Sequence, residues 1–246
     1  MDNWLNRTEL LLGESSIQKL RDSSVCVVGL GGVGSHAVEV LARSGIGSFL
    51  LIDFDRVNET NINRQIIALR STIGCFKTDV MQARILDINP DAKIKKFSEF
   101  LSKENRMEIL LKSDIIIDAI DSIGPKMGMI KDLCELNLPF ISVMGAGNRL
   151  DPESIKITSI WKTQGCPLAK RLKKMLRRNG VVKDFQVVFS EEPPKILTQK
   201  GERVENQNEI RPDSIPKTIV GSISYMPAIM GMVAGAWVID KLRIRN

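Results

Sequence analysis

The stretch VCVVGLGGVGS constrains this chain more than any other part of its sequence. Four apolar residues, Val25 to Val28, run directly into GLGGVG, and an apolar-periodic segment, Val33 to Ala42, begins before the glycines end. A strand, a glycine turn and a helix in that order form a phosphate site. Gly29 permits the tight turn, Gly31 and its neighbour Gly32 let an anion approach the backbone, and Gly34 lets the helix pack on the strand. Unpaired N–H groups at the helix start then face the ligand. On its own the loop serves NAD and ATP equally well.

The same alternation continues downstream. Phe49 to Ile52 precedes a helical pattern at Thr78 to Ile88, Ile115 to Ile117 precedes one at Lys126 to Leu136, and Phe140 to Val143 follows. This predicts an α/β fold, a Rossmann-like and mostly parallel sheet with helices on both faces, whose ligands sit beyond the carboxyl ends of the strands. With 246 residues, 43% of them hydrophobic, one core suffices. The chain reads as a single domain, residues 1–150 forming a nucleotide-binding core and 151–246 a substrate-facing extension. That extension contains a strand-like Ile155 to Ile160, a basic helix from Pro167, a strand-like Gln186 to Phe189 and a long polar loop, Ser190 to Lys217. Pro193, Pro194, Pro212 and Pro216 exclude regular structure from the loop. Ile219 to Ile239 is apolar, but Ser222, Ser224, Tyr225 and Pro227 interrupt it. The remainder, Ala228 to Ile239, is too short to span a bilayer, so a closing core helix is expected and no membrane span.

Met1 to Leu12 is too polar for a signal peptide. Cys26, Cys75, Cys134 and Cys166 form no CxxC pair, which argues against a disulfide framework or a zinc ribbon and for a cytoplasmic protein. The net charge of +6 favours an anionic partner such as nucleic acid.

After the second strand come LIDFD, RVNETNINRQ and GCFKTDVMQARILDINP. Asp53 lies nineteen residues past Gly34, where a dinucleotide fold places its ribose-binding acid, and Asp55 follows two residues later. With Asn61, Arg64, Gln65, Lys77 and Asp121 in order behind the glycine loop, the chain resembles the adenylating superfamily that includes ubiquitin-activating enzymes and the thiamine and molybdopterin adenylyltransferases. The resemblance implies that these residues meet in one ATP site. The chemistry suits them. Adenylation brings a carboxylate against the α-phosphate, so cations are needed: Arg64 as a planar fork and Lys77 as a compact charge. Asn61 and Gln65 are neutral donors for ribose or phosphate, and Asp121, ending IIIDAID, would hold Mg2+, with Asp118 the weaker candidate. Each also has a plainer use, Arg64 and Lys77 as solvated charges, Asp121 as a helix cap, Asp55 as a turn residue and Asn61 as a turn cap. His36, the one histidine, reads as a packing or surface residue. Arg7, in NRTELLLGE, matches the family position from which an N-terminal arginine reaches the partner subunit's nucleotide, which implies a homodimer with Arg7 acting in trans.

Four further stretches, IDAIDSIGPK, VVFSEEPPK, GSISYMP and PLAKRLKKMLRR, resemble the tRNA threonylcarbamoyladenosine dehydratase branch over nearly the whole chain. That resemblance implies a tRNA substrate whose threonylcarbamoyl carboxylate is adenylated and then cyclised. The basic helix fits such a partner: Leu168, Leu172, Met175 and Leu176 share one face, and Lys170, Arg171, Lys173, Lys174, Arg177 and Arg178 cover the rest. A solvated face is the plainer reading of those cations. The loop Ser190 to Lys217 would serve as a lid excluding water. Cys166 departs from the branch, which has an acidic residue there; a partly exposed thiol before a basic helix could accept sulfur or acyl groups. Adenylation of a sulfur-carrier or ubiquitin-like protein, an NAD-dependent oxidoreductase and a non-catalytic tRNA-binding scaffold remain alternatives. A cysteine desulfurase or sulfur-acceptor protein stays open as a partner.

Overall fold

The computed structural model describes residues 4–196 and 220–244. In chain order the elements are α1 (Asn6–Leu12), α2 (Glu14–Asp22), β1 (Ser24–Val28), α3 (Gly34–Arg43), β2 (Ser48–Ile52), α4 (Lys77–Ile88), β3 (Lys93–Phe97), α5 (Arg106–Leu110), β4 (Ile115–Asp118), α6 (Ile123–Glu135), β5 (Phe140–Val143), β6 (Ile155–Ser159), α7 (Pro167–Arg178), β7 (Gln186–Ser190) and α8 (Tyr225–Arg243). Seven strands form one sheet in the order β3-β2-β1-β4-β5-β7-β6. Every pairing is parallel except the hairpin-like β6–β7 edge. The sheet therefore takes strands from both sides of residue 150.

Strand composition follows position in the sheet. Central strands covered on both faces carry unbroken apolar runs, as in β1 and β2, where every residue after the first is buried. The edge strands β3, KIKKF, and β6, IKITS, expose lysines, Lys93, Lys95 and Lys96 on the first and Lys156 on the second, and so resist edge-to-edge pairing. Alternate residues of β1 feed opposite cores. Val25 and Val27 join the layer of α3, α4 and α8, whereas Cys26 and Val28 join that of α5, α6 and α7. Helices therefore cover both faces, as the alternation predicts.

The closing helix α8 packs chiefly on α3, and glycines set how near it comes. A Cβ at Gly231 would lie 2.2 Å from the Val33 carbonyl oxygen, and one at Gly235 3.2 Å from that of Ala37. Pro227 does not break this helix. It occupies the first turn, where a missing N–H costs nothing, so the helix begins at Tyr225, three residues before the apolar segment read from sequence. No described helix is long and apolar enough to cross a membrane. Of the expected loop, Ser190 closes β7 and 191–196 continue without regular structure; its residues 197–217 lie outside the described residues, and so does any lid they would form.

Candidate nucleotide site

The site is built from turns at the carboxyl ends of β1, β2 and β4, which the register brings level: Val28 pairs with both Ile52 and Asp118. Gly29 has φ +91° and stands so close to Ala119 that a Cβ would meet its carbonyl oxygen at 2.8 Å; at Gly34 a Cβ would lie 1.8 Å from the Gly29 oxygen. The fold itself demands both glycines. Gly32 is nearly as confined, 3.1 Å from the Arg64 carbonyl oxygen and from Pro227. Gly31 is different. Its nearest neighbour would be Gln65 Nε2 at 3.8 Å, an ordinary contact, so packing among the described residues does not require glycine there. Bare backbone at that point leaves room for a phosphate beside the first N–H groups of α3.

Gln65 lies over this loop, buried, and its Oε1 has no hydrogen-bond partner. An orphaned buried acceptor costs about 1–3 kcal/mol, and a nucleotide hydroxyl or amino group would satisfy it. Asp53, also buried, accepts from Leu30 N–H through Oδ2 (2.6 Å) and from Asp55 N–H through Oδ1 (2.8 Å). It pins the loop from beneath. Burial pushes its carboxyl above the usual range against the opposing pull of Lys77.

Lys77 opens α4 and is not a solvated charge: its side chain is only 6% exposed, with Nζ 2.8 Å from Asp55 and 4.0 Å from Asp53. The two carboxylates hold one ammonium at the end of β2. Arg64 stays partly exposed, its Nη1 donating to Thr60 O and Asn63 Oδ1, both at 2.9 Å. Asn61 does serve as a cap: its Oδ1 accepts from Asn58 N–H (3.1 Å) across the short turn Glu59–Asn61, which leaves its amide nitrogen as the group able to donate. Asn63 Nδ2 donates to Ser222 O (3.1 Å), tying this segment to the approach of α8.

Asp121 and Asp118 separate sharply. Asp118 is fully buried, ion-paired with Lys126 Nζ (2.8 Å) and accepting from Ser142 Oγ (2.6 Å) and Ile120 N–H (3.1 Å), so it is committed to the interior and not presented to a nucleotide-bound metal. Asp121 is exposed beyond β4, and its Oδ1 accepts from Ser122 Oγ (3.1 Å). Among the described residues no cluster of three or more His, Cys, Asp or Glu could hold a metal. One exposed carboxylate beside a phosphate loop is nonetheless what magnesium uses when the nucleotide supplies its other ligands. Sequence reasoning missed Lys126, although a signal existed: it falls on the same helical stripe as Ile130 and Leu133, at a core position.

His36 packs, its Cβ against Gly231 and its Nδ1 2.7 Å from Gly32 O. Arg7 is exposed on α1 and makes no hydrogen bond or ion pair with the described site residues of its own chain. Leu10 and Leu11 beside it are 89% and 83% exposed. On α7 the buried face is Ala169, Leu172 and Leu176, and Lys170, Lys173, Lys174, Arg177 and Arg178 stand together on the other side of the helix. Arg171 is exposed as well. Lys173 is half-structural: it donates to Thr163 O (2.7 Å), and burial and then Arg177 lower its ammonium from the usual lysine range. Cys166, expected to be partly exposed, is buried against the apolar side of α7, which removes the access an acceptor thiol needs.

Comparison with known proteins yields one family. Residues 5–244 match the sequence model of the ThiF family. The chain is 39% identical to the tRNA threonylcarbamoyladenosine dehydratase of Bacillus subtilis over 240 residues, 96% of this chain and 93% of that one. Among solved structures, E. coli tRNA N6-threonylcarbamoyladenosine dehydratase, TcdA, in complex with AMP superposes with a TM-score of 0.85 at 35% identity, covering 98% of this chain and 96% of the other. The same protein in complex with ATP gives 0.84 at 36%, with the same coverage.

Proposed function

This chain belongs to the ThiF family, and we propose that it is an ATP-dependent tRNA threonylcarbamoyladenosine dehydratase, like the relatives it matches end to end. The observation that carries this reading is the convergence of the Gly29–Gly34 loop, buried Lys77 and exposed Asp121 at the level ends of three parallel strands. NAD-dependent chemistry gives Lys77 and Asp121 no task.

The glycine loop and α3 bind the nucleotide phosphates, and Gln65, Asp53 and the Asn61 amide meet its sugar and base. A threonylcarbamoyl carboxylate oxygen bonds to the α-phosphorus while the bond to the β-phosphate oxygen breaks and pyrophosphate leaves. Lys77, ion-paired with Asp55, is the cation that would follow that charge, exchanging Asp55 for a phosphate oxygen. Arg64 would turn from Thr60 O toward the outer phosphates. Asp121 would hold Mg2+, whose charge offsets the phosphates when bound. The neighbouring carbamoyl group then attacks the activated carbonyl carbon, the ring closes, AMP leaves, and the carbamoyl N–H proton passes to solvent. Because nucleophile and electrophile share one nucleoside, no protein thiol is needed.

The same reading makes α7 the tRNA contact and the chain a cytoplasmic homodimer in which Arg7 reaches the partner's nucleotide, with exposed Leu10 and Leu11 suited to the dimer contact. A sulfur-transfer partner has no support in the buried Cys166. ATP–pyrophosphate exchange tests the substrate: stimulation by threonylcarbamoylated tRNA, and not by unmodified tRNA or a sulfur-carrier protein, is expected. Stimulation by the carrier protein alone would overturn it.

A further inference from the structure

Only two lysines are buried among the described residues, Lys77 and Lys126. The first has its place in the ATP site. The second sits inside α6, fully buried, its ammonium ion-paired with Asp118 Oδ2 at 2.8 Å and donating to Val143 O at 2.9 Å and Ile120 O at 3.1 Å. Asp118 in turn accepts from Ser142 Oγ and from Ile120 N–H. Both backbone polar groups of Ile120 are thereby fixed, its N–H by Asp118 and its carbonyl by Lys126, and the next residue is Asp121. On the other side Ala119 N–H donates to Val28 O (2.9 Å), and its carbonyl underlies Gly29. The turn is held between the glycine loop and β5.

Stability gives a poor account of this arrangement. Two charges taken wholly out of water are expensive, and well-packed neutral residues of the same volume commonly do as well or better. What the pair supplies is a fixed backbone at one place. We infer that the Lys126–Asp118 ion pair is a positioning device that sets the turn bearing Asp121 and thereby the site's hold on magnesium–ATP. The inference rests on Asp121 being the magnesium residue. Lys126 itself is too deeply buried to touch substrate, so it acts through the turn.

The test is the double variant Lys126→Met with Asp118→Asn, which removes both charges at nearly constant volume. Binding of a non-hydrolysable ATP analogue is measured calorimetrically across a magnesium titration and in chelator, together with the melting temperature. The expected result is a melting temperature within a few degrees of wild type and a magnesium half-saturation raised about tenfold or more, the usual cost of losing an outer-shell partner, with a smaller change in chelator. Unshifted half-saturation in the folded variant, beside a magnesium-dependent wild type, overturns the inference alone. A wild type whose binding ignores magnesium overturns the reading of Asp121 and the inference with it. If the double variant does not fold, Ser142→Ala decides: it withdraws one donor from Asp118 without unpairing a charge, and should raise the half-saturation in the same direction. An unchanged value overturns the inference.

Discussion

Gly31 and Gly34 share one loop and one residue type, yet they answer to different forces. A methyl group at Gly34 collides with the Gly29 carbonyl, whereas at Gly31 it meets nothing among the described residues closer than 3.8 Å. Gly31→Ala should therefore leave the melting temperature nearly unchanged while weakening ATP binding by an order of magnitude or more, as calorimetry would detect. Gly34→Ala should lower the melting temperature strongly, the mark of overpacking against backbone. A Gly31→Ala chain with wild-type ATP affinity would show that no phosphate lies there. The loop residues were legible in sequence because glycines between a strand and a helix have few other uses. Lys77 was legible by its place in the motif, but its burial between Asp53 and Asp55 was not, since nothing local marks which lysine at a helix start turns inward. Asp121 was already preferred over Asp118 in sequence, but what Asp118 does instead, its burial against Lys126 and Ser142, depends on β5 and was not legible.

Among elements, α3 is braced on two sides. Gly231 and Gly235 let α8 approach its backbone, and buried Glu39 joins it to α4 through Arg84 (2.5 Å) as well as to its own Arg43 (2.7 Å). Burial alone would push the Glu39 carboxyl up, but hydrogen bonds from Arg84 and Arg43 outweigh it and the net shift is downward. A carboxyl lowered on folding contributes stability that is present above the ordinary glutamate range and lost as pH falls through the lowered value. The melting temperature of the wild type should accordingly drop below that range, and Glu39→Gln, less stable near neutrality, should show a shallower acid limb; parallel limbs would count against the link. On α7, reversing Lys170, Lys174 and Arg177 to glutamate should abolish salt-dependent tRNA binding while preserving fold, because none of them contributes to the buried face. Unchanged affinity would assign the helix to solvent. The strand β3 was not legible because three of its five residues are lysine, and α1 and α2 are too short to announce a period.

At the scale of the molecule, the parallel core could be read from sequence because doubly covered strands must be continuously apolar. The position of β7 between β5 and β6 could not, since strand order depends on long-range pairing that leaves no local trace. Assembly belongs to this scale too. An Arg7→Ala chain mixed with an inactive Lys77→Ala chain should recover part of the activity if each supplies what the other lacks; absence of rescue would refute sharing across a dimer. The central claim, that this site dehydrates a nucleoside within tRNA, is tested most directly by incubating the protein with ATP, magnesium and threonylcarbamoylated tRNA, then weighing the released nucleosides. The account predicts a nucleoside lighter by one water and one AMP formed per ring closed, both lost in Lys77→Ala. ATP consumed with the nucleoside mass unchanged would contradict it.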